Sequence, residues 1–239
     1  MTLFFTFTIG SDTVLSRMHE KLQQFTELVR VVRHDHKVKN ALWGGHGFDH
    51  AYLVAQYCLK IAQDPLATLA WIAAICHNTD RHYGDEMVEQ MMVRYLGHTN
   101  LSDQDKSLVT EAVLTHSQRP SQNDNPVTVV LMDSDKLATL SLSAIIRFGQ
   151  FRPNVPIIDL RYPDLNECPP GTNYKNPGSA ARDMMGWLEW QEEGWIRTPV
   201  AKKLAQPKFQ KIRQFLDDLV FQVREDGLLE YPFKEDFDN

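Results

Sequence analysis

The stretch that most constrains the fold is an apolar run that ends in a polar cluster. Residues 66–76 carry apolar side chains on almost every side of a helix, and a helix of that kind is buried in a core. Asp64-Pro65 precedes the run as an N-cap followed by a first-turn proline. His77 and Asn78 follow it directly. Because the end of a buried helix holds a side chain still, we predict that His77 and Asn78 are site residues.

Apolar residues recur at helical spacing through most of the remaining chain. The pattern predicts helices over 11–33, 50–63, 86–96, 102–117, 127–151, 179–193 and 198–226. The start of the 127–151 segment, Val-Thr-Val-Val, is also compatible with a strand. The segment 34–37, His-Asp-His-Lys, is predicted as a solvated helix end rather than a metal site, and 79–85 as a loop.

Neither a repeat nor a clear domain boundary interrupts this pattern. The sequence therefore predicts an all-α protein with one domain over 1–239. Its core spans about 40–150, and a proline-rich loop with C-terminal helices follows over 151–228. Residues 229–239 form an acidic tail, and residues 1–10 are predicted as an extended arm that packs on the body or on a partner.

Composition narrows the class of function. The net charge of −6 argues against a broad nucleic-acid-binding surface, although a local basic pocket could still bind a small anion. Three cysteines make no disulfide framework and suggest a reducing compartment, the cytoplasm. Apolar runs of about 18 residues are absent, so we predict no membrane span.

Three further polar side chains are expected to meet His77. His50 lies in the first turn of a predicted helix, directly after the glycine-rich turn 44–47. Asp133 and Asp135 interrupt an apolar helix, where carboxylates are costly without partners. His116 lies near the end of the 102–117 helix. We predict that His50, Asp135 and His116 converge on the end of the 66–76 helix.

In order and spacing these residues resemble the HD superfamily of metal-dependent phosphohydrolases, whose pattern is a His, a His-Asp doublet and an Asp, each near a helix end. The matching segments are His46-Gly47-Phe48-Asp49-His50, Ala73-Ala74-Ile75-Cys76-His77-Asn78 and Met132-Asp133-Ser134-Asp135-Lys136-Leu137. Two other segments, 113–117 and 198–205 followed by Phe215-Leu216, are similar to a bacterial branch. The resemblance implies an HD-type helical bundle with a C-terminal helical extension, and His50, His77, Asn78 and Asp135 as metal ligands.

The chemistry of these residue types fits one divalent ion, such as Mn²⁺, Fe²⁺, Co²⁺, Ni²⁺, Zn²⁺ or Mg²⁺. Asp80 is a candidate to orient a water or to act as a general base. Lys136 and Arg147, together with Arg81, are candidates to contact phosphate oxygens. The alternatives are that Lys136 and Arg147 pair with Asp133 and that Asp80 is a solvated loop acid. His46 and His116 either support the ligands or belong to the core, and His82 and His98 are expected at the surface.

One residue departs from the family pattern, because Asn78 stands where the family has Asp. A carboxamide is a weaker ligand than a carboxylate, which leaves three outcomes open: a single-metal hydrolase, a site helped by Asp80 or Asp49, or a site without catalysis. The expected functions are accordingly a phosphohydrolase acting on a nucleotide or another small phosphate ester, a protein that binds a phosphorylated ligand, or an interaction protein. We expect no nucleic-acid duplex and no membrane as a partner, and self-assembly stays open.

Overall fold

The computed structural model describes residues 11–42, 46–152, 154–173 and 176–233. These residues form α-helices and no β-strand, which confirms the predicted all-α class. In chain order the helices are α1 (Ser11–Gln24), α2 (Thr26–Val38), α3 (Phe48–Ile61), α4 (Leu66–Cys76), α5 (Thr79–Tyr83), α6 (Val88–Leu96), α7 (Asp103–Thr115), α8 (Pro126–Thr139), α9 (Leu142–Phe151), α10 (Ala180–Trp187) and α11 (Pro199–Glu225). The predicted N-terminal arm, the glycines 44–45 and the end of the acidic tail (234–239) lie outside the described residues.

The chain divides into two compact units, Met1–Asp135 and Lys136–Asn239, and the division falls within α8. The candidate ligands His50, His77 and Asp135 all belong to the first unit. The organisation of residues 1–239 as one domain stays a prediction.

Helix α4 is the centre of the first unit. Every side chain from Trp71 to Cys76 is inaccessible to solvent, and α4 contacts α2, α3 and α7. The indole of Trp71 donates a hydrogen bond to Met18 Sδ over 3.0 Å. The all-round apolar pattern therefore predicts correctly that α4 is the central buried helix, and this burial fixes the position of its polar C-terminal end.

The prediction of one continuous helix over 11–33 is wrong, because the segment forms the two helices α1 and α2. It breaks at Phe25, whose φ of −116° and ψ of 34° are not helical. The Phe25 ring is buried and stacks on Trp71 with ring centroids 5.8 Å apart. Because this contact joins residues far apart in the chain, helical periodicity near Phe25 carries no signal of the break.

The predicted solvated tail at 34–37 is also wrong, since α2 continues to Val38 and buries Asp35 and His36. Arg94 donates two hydrogen bonds to the Asp35 carboxylate, of 2.7 and 3.2 Å. The Tyr95 hydroxyl donates a third, of 2.8 Å. This network joins α2 to α6. Its three donated hydrogen bonds satisfy the Asp35 carboxylate, so that the charge can be buried.

The segment 127–151 is helical, as predicted, but it forms two helices. The Asn125 side chain accepts a hydrogen bond from Thr128 N over 3.0 Å, and Pro126 opens the first turn of α8. This cap and proline favour a helix over the strand alternative for Val-Thr-Val-Val. The helix then stops, and Ser141, in extended backbone, precedes α9.

Two other boundaries differ from their predictions. The segment 79–85, predicted as a loop, contains the short helix α5, which ends at Gly84 with a φ of 86° that favours glycine. The helix predicted over 179–193 ends at Trp187. Ser179 caps its start by accepting a hydrogen bond from Arg182 N over 3.2 Å.

Candidate metal centre

His77 stands at the C-terminal end of α4 with 1% of its surface exposed. Its Nδ1 lies 2.7 Å from the carbonyl oxygen of Ala74. A carbonyl only accepts, so Nδ1 carries the hydrogen and Nε2 carries the lone pair. Nε2 is buried and has no hydrogen-bond partner among the described residues. The orientation of the ring thus leaves a metal-ligating atom without a protein donor.

Burial also keeps the His77 imidazole neutral. Desolvation lowers the pKa of His77 well below its ordinary value of 6.5, and the neighbouring His50 and His116 lower it further. A neutral imidazole is the form that binds a metal ion. The lowered pKa therefore keeps His77 Nε2 unprotonated and able to bind a metal ion at neutral pH.

His50 lies in the first turn of α3, as predicted, and is 2% exposed. Its Nε2 is 3.0 Å from Oδ1 of Asp135 on α8. The His50 and His77 ring centroids are 5.3 Å apart, with an interplanar angle of 68°. Three helices of the first unit therefore bring together the side chains that the sequence pattern groups.

His50, His77 and Asp135 each offer one ligand atom, and these atoms lie within 4.8 Å of one another. Ligand bonds of about 2.0–2.2 Å place such atoms close together around one ion. Two imidazole nitrogens and one carboxylate oxygen suit a divalent transition metal. This buried group could therefore hold a metal ion.

Two more histidines border the group. The His116 ring is buried and lies 5.3 Å from the His77 ring, measured between centroids, at an angle of 89°. Its Nδ1–H donates to the Val113 carbonyl over 2.7 Å. The His46 ring lies 6.2 Å from the His50 ring. The prediction that His116 approaches the end of α4 is confirmed.

Asn78 is 1% exposed, immediately after His77. Its side-chain amide donates a long hydrogen bond of 3.5 Å to the carbonyl of Gly47, the N-cap residue of α3. The carboxamide thus links the end of α4 to the start of the helix that carries His50. A carboxylate could not donate this bond, which gives Asn78 a structural use of its own. Its role as a ligand stays a prediction.

The other candidate site residues lie in different surroundings. Asp80 on α5 is nearly buried, with Oδ2 3.3 Å from Arg81 Nε. Its Oδ1 is buried and forms no hydrogen bond with the residues that the structure describes. Lys136 follows Asp135 on α8, and Arg147 is half-buried on α9. Lys136 and Arg147 belong to the second unit. The roles predicted for Asp80, Lys136 and Arg147 stay predictions.

Sequence reasoning missed a second pair of histidines in the first unit. The ring centroids of His36 and His82 are 4.5 Å apart. Each Nε2 is buried and has no hydrogen-bond partner within the described ranges. Burial lowers the pKa of His82 to about 4. His82 is half-buried and not fully at the surface as predicted, whereas His98 is exposed as predicted. In the sequence, the histidines on either side of Asp35, His34 and His36, were a partial signal of this pair.

Comparison with known proteins supports the fold alone. No family model and no curated protein matches the chain. A protein of Lactobacillus plantarum, known from a crystal structure, is similar in fold with a TM-score of 0.60 and 19% sequence identity, over 91% of this chain and 100% of that chain. Fold and site together define an all-α protein with a buried group that could hold a metal ion.

None of the helices in the described part of the chain combines the length and the apolar character that crossing a bilayer requires.

Proposed function

We propose that the protein is a metal-dependent phosphohydrolase of the HD superfamily that hydrolyses a nucleotide or another small phosphate ester in the cytoplasm. The observation that carries this proposal is the buried group of His50, His77 and Asp135, whose ligand atoms lie within 4.8 Å of one another. The neutral His77 Nε2 is buried and has no hydrogen-bond partner in the described part of the chain. This fits the proposal because a metal ion would satisfy the nitrogen lone pair.

The roles of the residues follow from their chemistry. His50, His77 and Asp135 would hold one divalent ion, which would polarise a phosphoryl oxygen and lower the pKa of a bound water. One Asp80 oxygen is buried, and no described residue forms a hydrogen bond with it. We propose that the Asp80 carboxylate orients the attacking water or accepts a proton from it. Lys136 and Arg147 supply positive charge for the phosphate oxygens.

The proposal is tested by measuring the metal content of the purified protein and then its turnover. Nucleoside mono-, di- and triphosphates and p-nitrophenyl phosphate are offered with Mn²⁺, Co²⁺ or Mg²⁺. We expect about one metal ion per chain and metal-dependent release of phosphate, with both lost in the His50→Ala variant. A wild-type protein that binds none of these ions and releases no phosphate would contradict the proposal.

The second candidate function is a protein that binds a phosphorylated ligand without hydrolysing it. Asn78 favours this alternative, because its amide is used in the bond to Gly47 and it replaces the carboxylate of the family pattern. In that case nucleotides would raise the melting temperature of the metal-loaded protein while no phosphate is released.

The substitution Asn78→Asp separates the two candidates. In the metal-free protein the new carboxylate faces the Gly47 carbonyl without a donor hydrogen, which should cost about 1–3 kcal/mol of unfolding free energy. With Mn²⁺ or Co²⁺ the carboxylate becomes a ligand, so the metal affinity should rise by about tenfold or more. Thermal melts with and without metal measure both effects.

Asn78→Ala is the matched control, since it removes the amide without adding a ligand. We expect it to lose stability without gaining metal affinity. An Asn78→Asp protein whose metal affinity equals that of Asn78→Ala would show that position 78 does not reach the ion. A gain of both metal and turnover over the wild type would identify a site whose catalysis had lapsed.

A further inference from the structure

The ammonium group of Lys136 lies over two indole rings. Its Nζ is 4.9 Å from the ring centroid of Trp190 and 5.2 Å from that of Trp195. Both distances are within the range of about 6 Å over which an aromatic face attracts a cation. We call Trp190 and Trp195 the indole clamp. All three residues belong to the unit Lys136–Asn239.

The indole clamp is held by contacts of its own. The backbone N–H of Trp195 donates to the Trp190 carbonyl over 2.8 Å, and the Trp195 indole donates to Glu193 Oε2 over 2.9 Å. The Trp187 ring lies 6.0 Å from the Trp190 ring, and Phe148 lies 6.5 Å from Trp187. The two rings therefore do not depend on Lys136 alone for their positions.

Aromatic faces suit a lysine that has to bind an anion. A ring attracts the ammonium ion through its quadrupole and leaves the formal charge of the ion intact. The long lysine stem otherwise has many conformations, and restricting them beforehand reduces the entropy lost when an anion binds. In the chain, Lys136 directly follows the candidate metal ligand Asp135.

We propose that Trp190 and Trp195 are positioning residues that hold the Lys136 ammonium group for a phosphate group of the substrate, an inference that rests on the proposed function. The two indoles act through Lys136 and do not contact the substrate. Removing either ring leaves the charge in place but removes one restraint on the lysine side chain. A purely structural clamp would instead affect stability and leave phosphate affinity unchanged.

The test measures binding of inorganic orthophosphate to the full Co²⁺-loaded chain by titration calorimetry. We expect Lys136→Met to weaken phosphate affinity by about tenfold or more, because a charged hydrogen bond is lost. Trp190→Leu and Trp195→Leu should each weaken it by about three- to tenfold, and the phenylalanine variants by less, because benzene faces also attract cations. The affinity for Co²⁺ should stay unchanged in every variant.

The pair Lys60 and Tyr57 provides the matched control. Lys60 Nζ lies 4.9 Å from the Tyr57 ring centroid, and Lys60→Met should leave phosphate affinity unchanged. Wild-type phosphate affinity in Lys136→Met, or in the variant with both indoles replaced by leucine, would overturn the inference. Where the leucine variants do not fold, wild-type phosphate affinity in Lys136→Met still overturns it.

The outcome also separates this inference from the proposed function. A wild-type protein that binds no Co²⁺ would contradict the proposed metal centre. Orthophosphate is then titrated into the metal-free chain, and tryptophan fluorescence reports binding. A phosphate response that disappears in Lys136→Met and weakens in the indole variants supports the clamp, whereas the absence of any Lys136-dependent response overturns it.

Discussion

Replacing His77 by alanine is expected to abolish tight binding of a divalent metal ion. The His77 imidazole is buried and neutral, and none of the described residues forms a hydrogen bond with its Nε2. Mutation of a residue that only hydrogen-bonds to a metal ligand typically lowers the metal affinity by about 10- to 100-fold. Loss of the ligand itself should therefore lower it by at least about 100-fold. Equilibrium dialysis with Co²⁺ or Mn²⁺ measures the affinity directly.

The same variant should lose the stabilisation that metal provides. At a free concentration about 100 times its dissociation constant, a ligand that binds only the folded state contributes about 2.7 kcal/mol. Wild-type protein should therefore melt at a higher temperature when Co²⁺ is added, and His77→Ala should not. The exposed His98 supplies the control, because His98→Ala should keep the wild-type response. Equal metal affinity in His77→Ala and wild type would exclude His77 as a ligand.

Replacing Asp35 by alanine is expected to produce a large loss of stability. The variant removes the acceptor of three hydrogen bonds, two from Arg94 and one from Tyr95. In the variant the Tyr95 hydroxyl loses its acceptor while Tyr95 is only 2% exposed. The Arg94 side chain is half-exposed, so its guanidinium can form hydrogen bonds with water instead. We expect a decrease of about 2–4 kcal/mol in unfolding free energy, measured by urea denaturation.

An exposed ion pair on the same helix is the control for Asp35. Arg30 Nε lies 2.9 Å from Glu27 Oε2, with both side chains more than half exposed. Glu27→Ala should change the unfolding free energy by about 0.5 kcal/mol or less. Tyr95→Phe should cost about 1 kcal/mol, the share of one hydrogen bond. If Asp35→Ala were as mild as Glu27→Ala, the buried network would not contribute to stability.

Helix positions show how far local pattern predicts this fold. Helices α4, α7 and α11 begin and end within a few residues of their predicted limits, because a run of apolar residues at helical spacing is local information. Ser102 and Thr198 cap α7 and α11 with side-chain hydrogen bonds. The predicted cap of α4 is wrong, since Pro65 and not Asp64 is its N-cap residue and no described side chain caps the helix. Local periodicity does not predict the helix breaks at Phe25 and before Ser141. At Phe25 the break allows a ring to pack on Trp71, a contact that no local window contains.

The candidate site divides in the same way. The order of His50, His77 and Asp135 along the chain, each near a helix boundary or within an apolar helix, predicts that they meet, and the structure places their ligand atoms together. The clamp around Lys136 and the burial of Asp35 had no such signal. Each depends on side chains from segments that are distant in sequence.

The sequence by itself determined the all-α class, the central place of α4 and the identity of the polar residues at its end, because apolar periodicity and capping act within a few residues. Only the tertiary structure decided which polar groups have partners. It gave Asp35 two hydrogen bonds from Arg94 and one from the Tyr95 hydroxyl. It left His77 Nε2 with no hydrogen-bond donor among the described residues and placed the Lys136 ammonium group over two indoles. The reason is that burial and the pairing of polar groups depend on the packing of segments that are far apart in the chain.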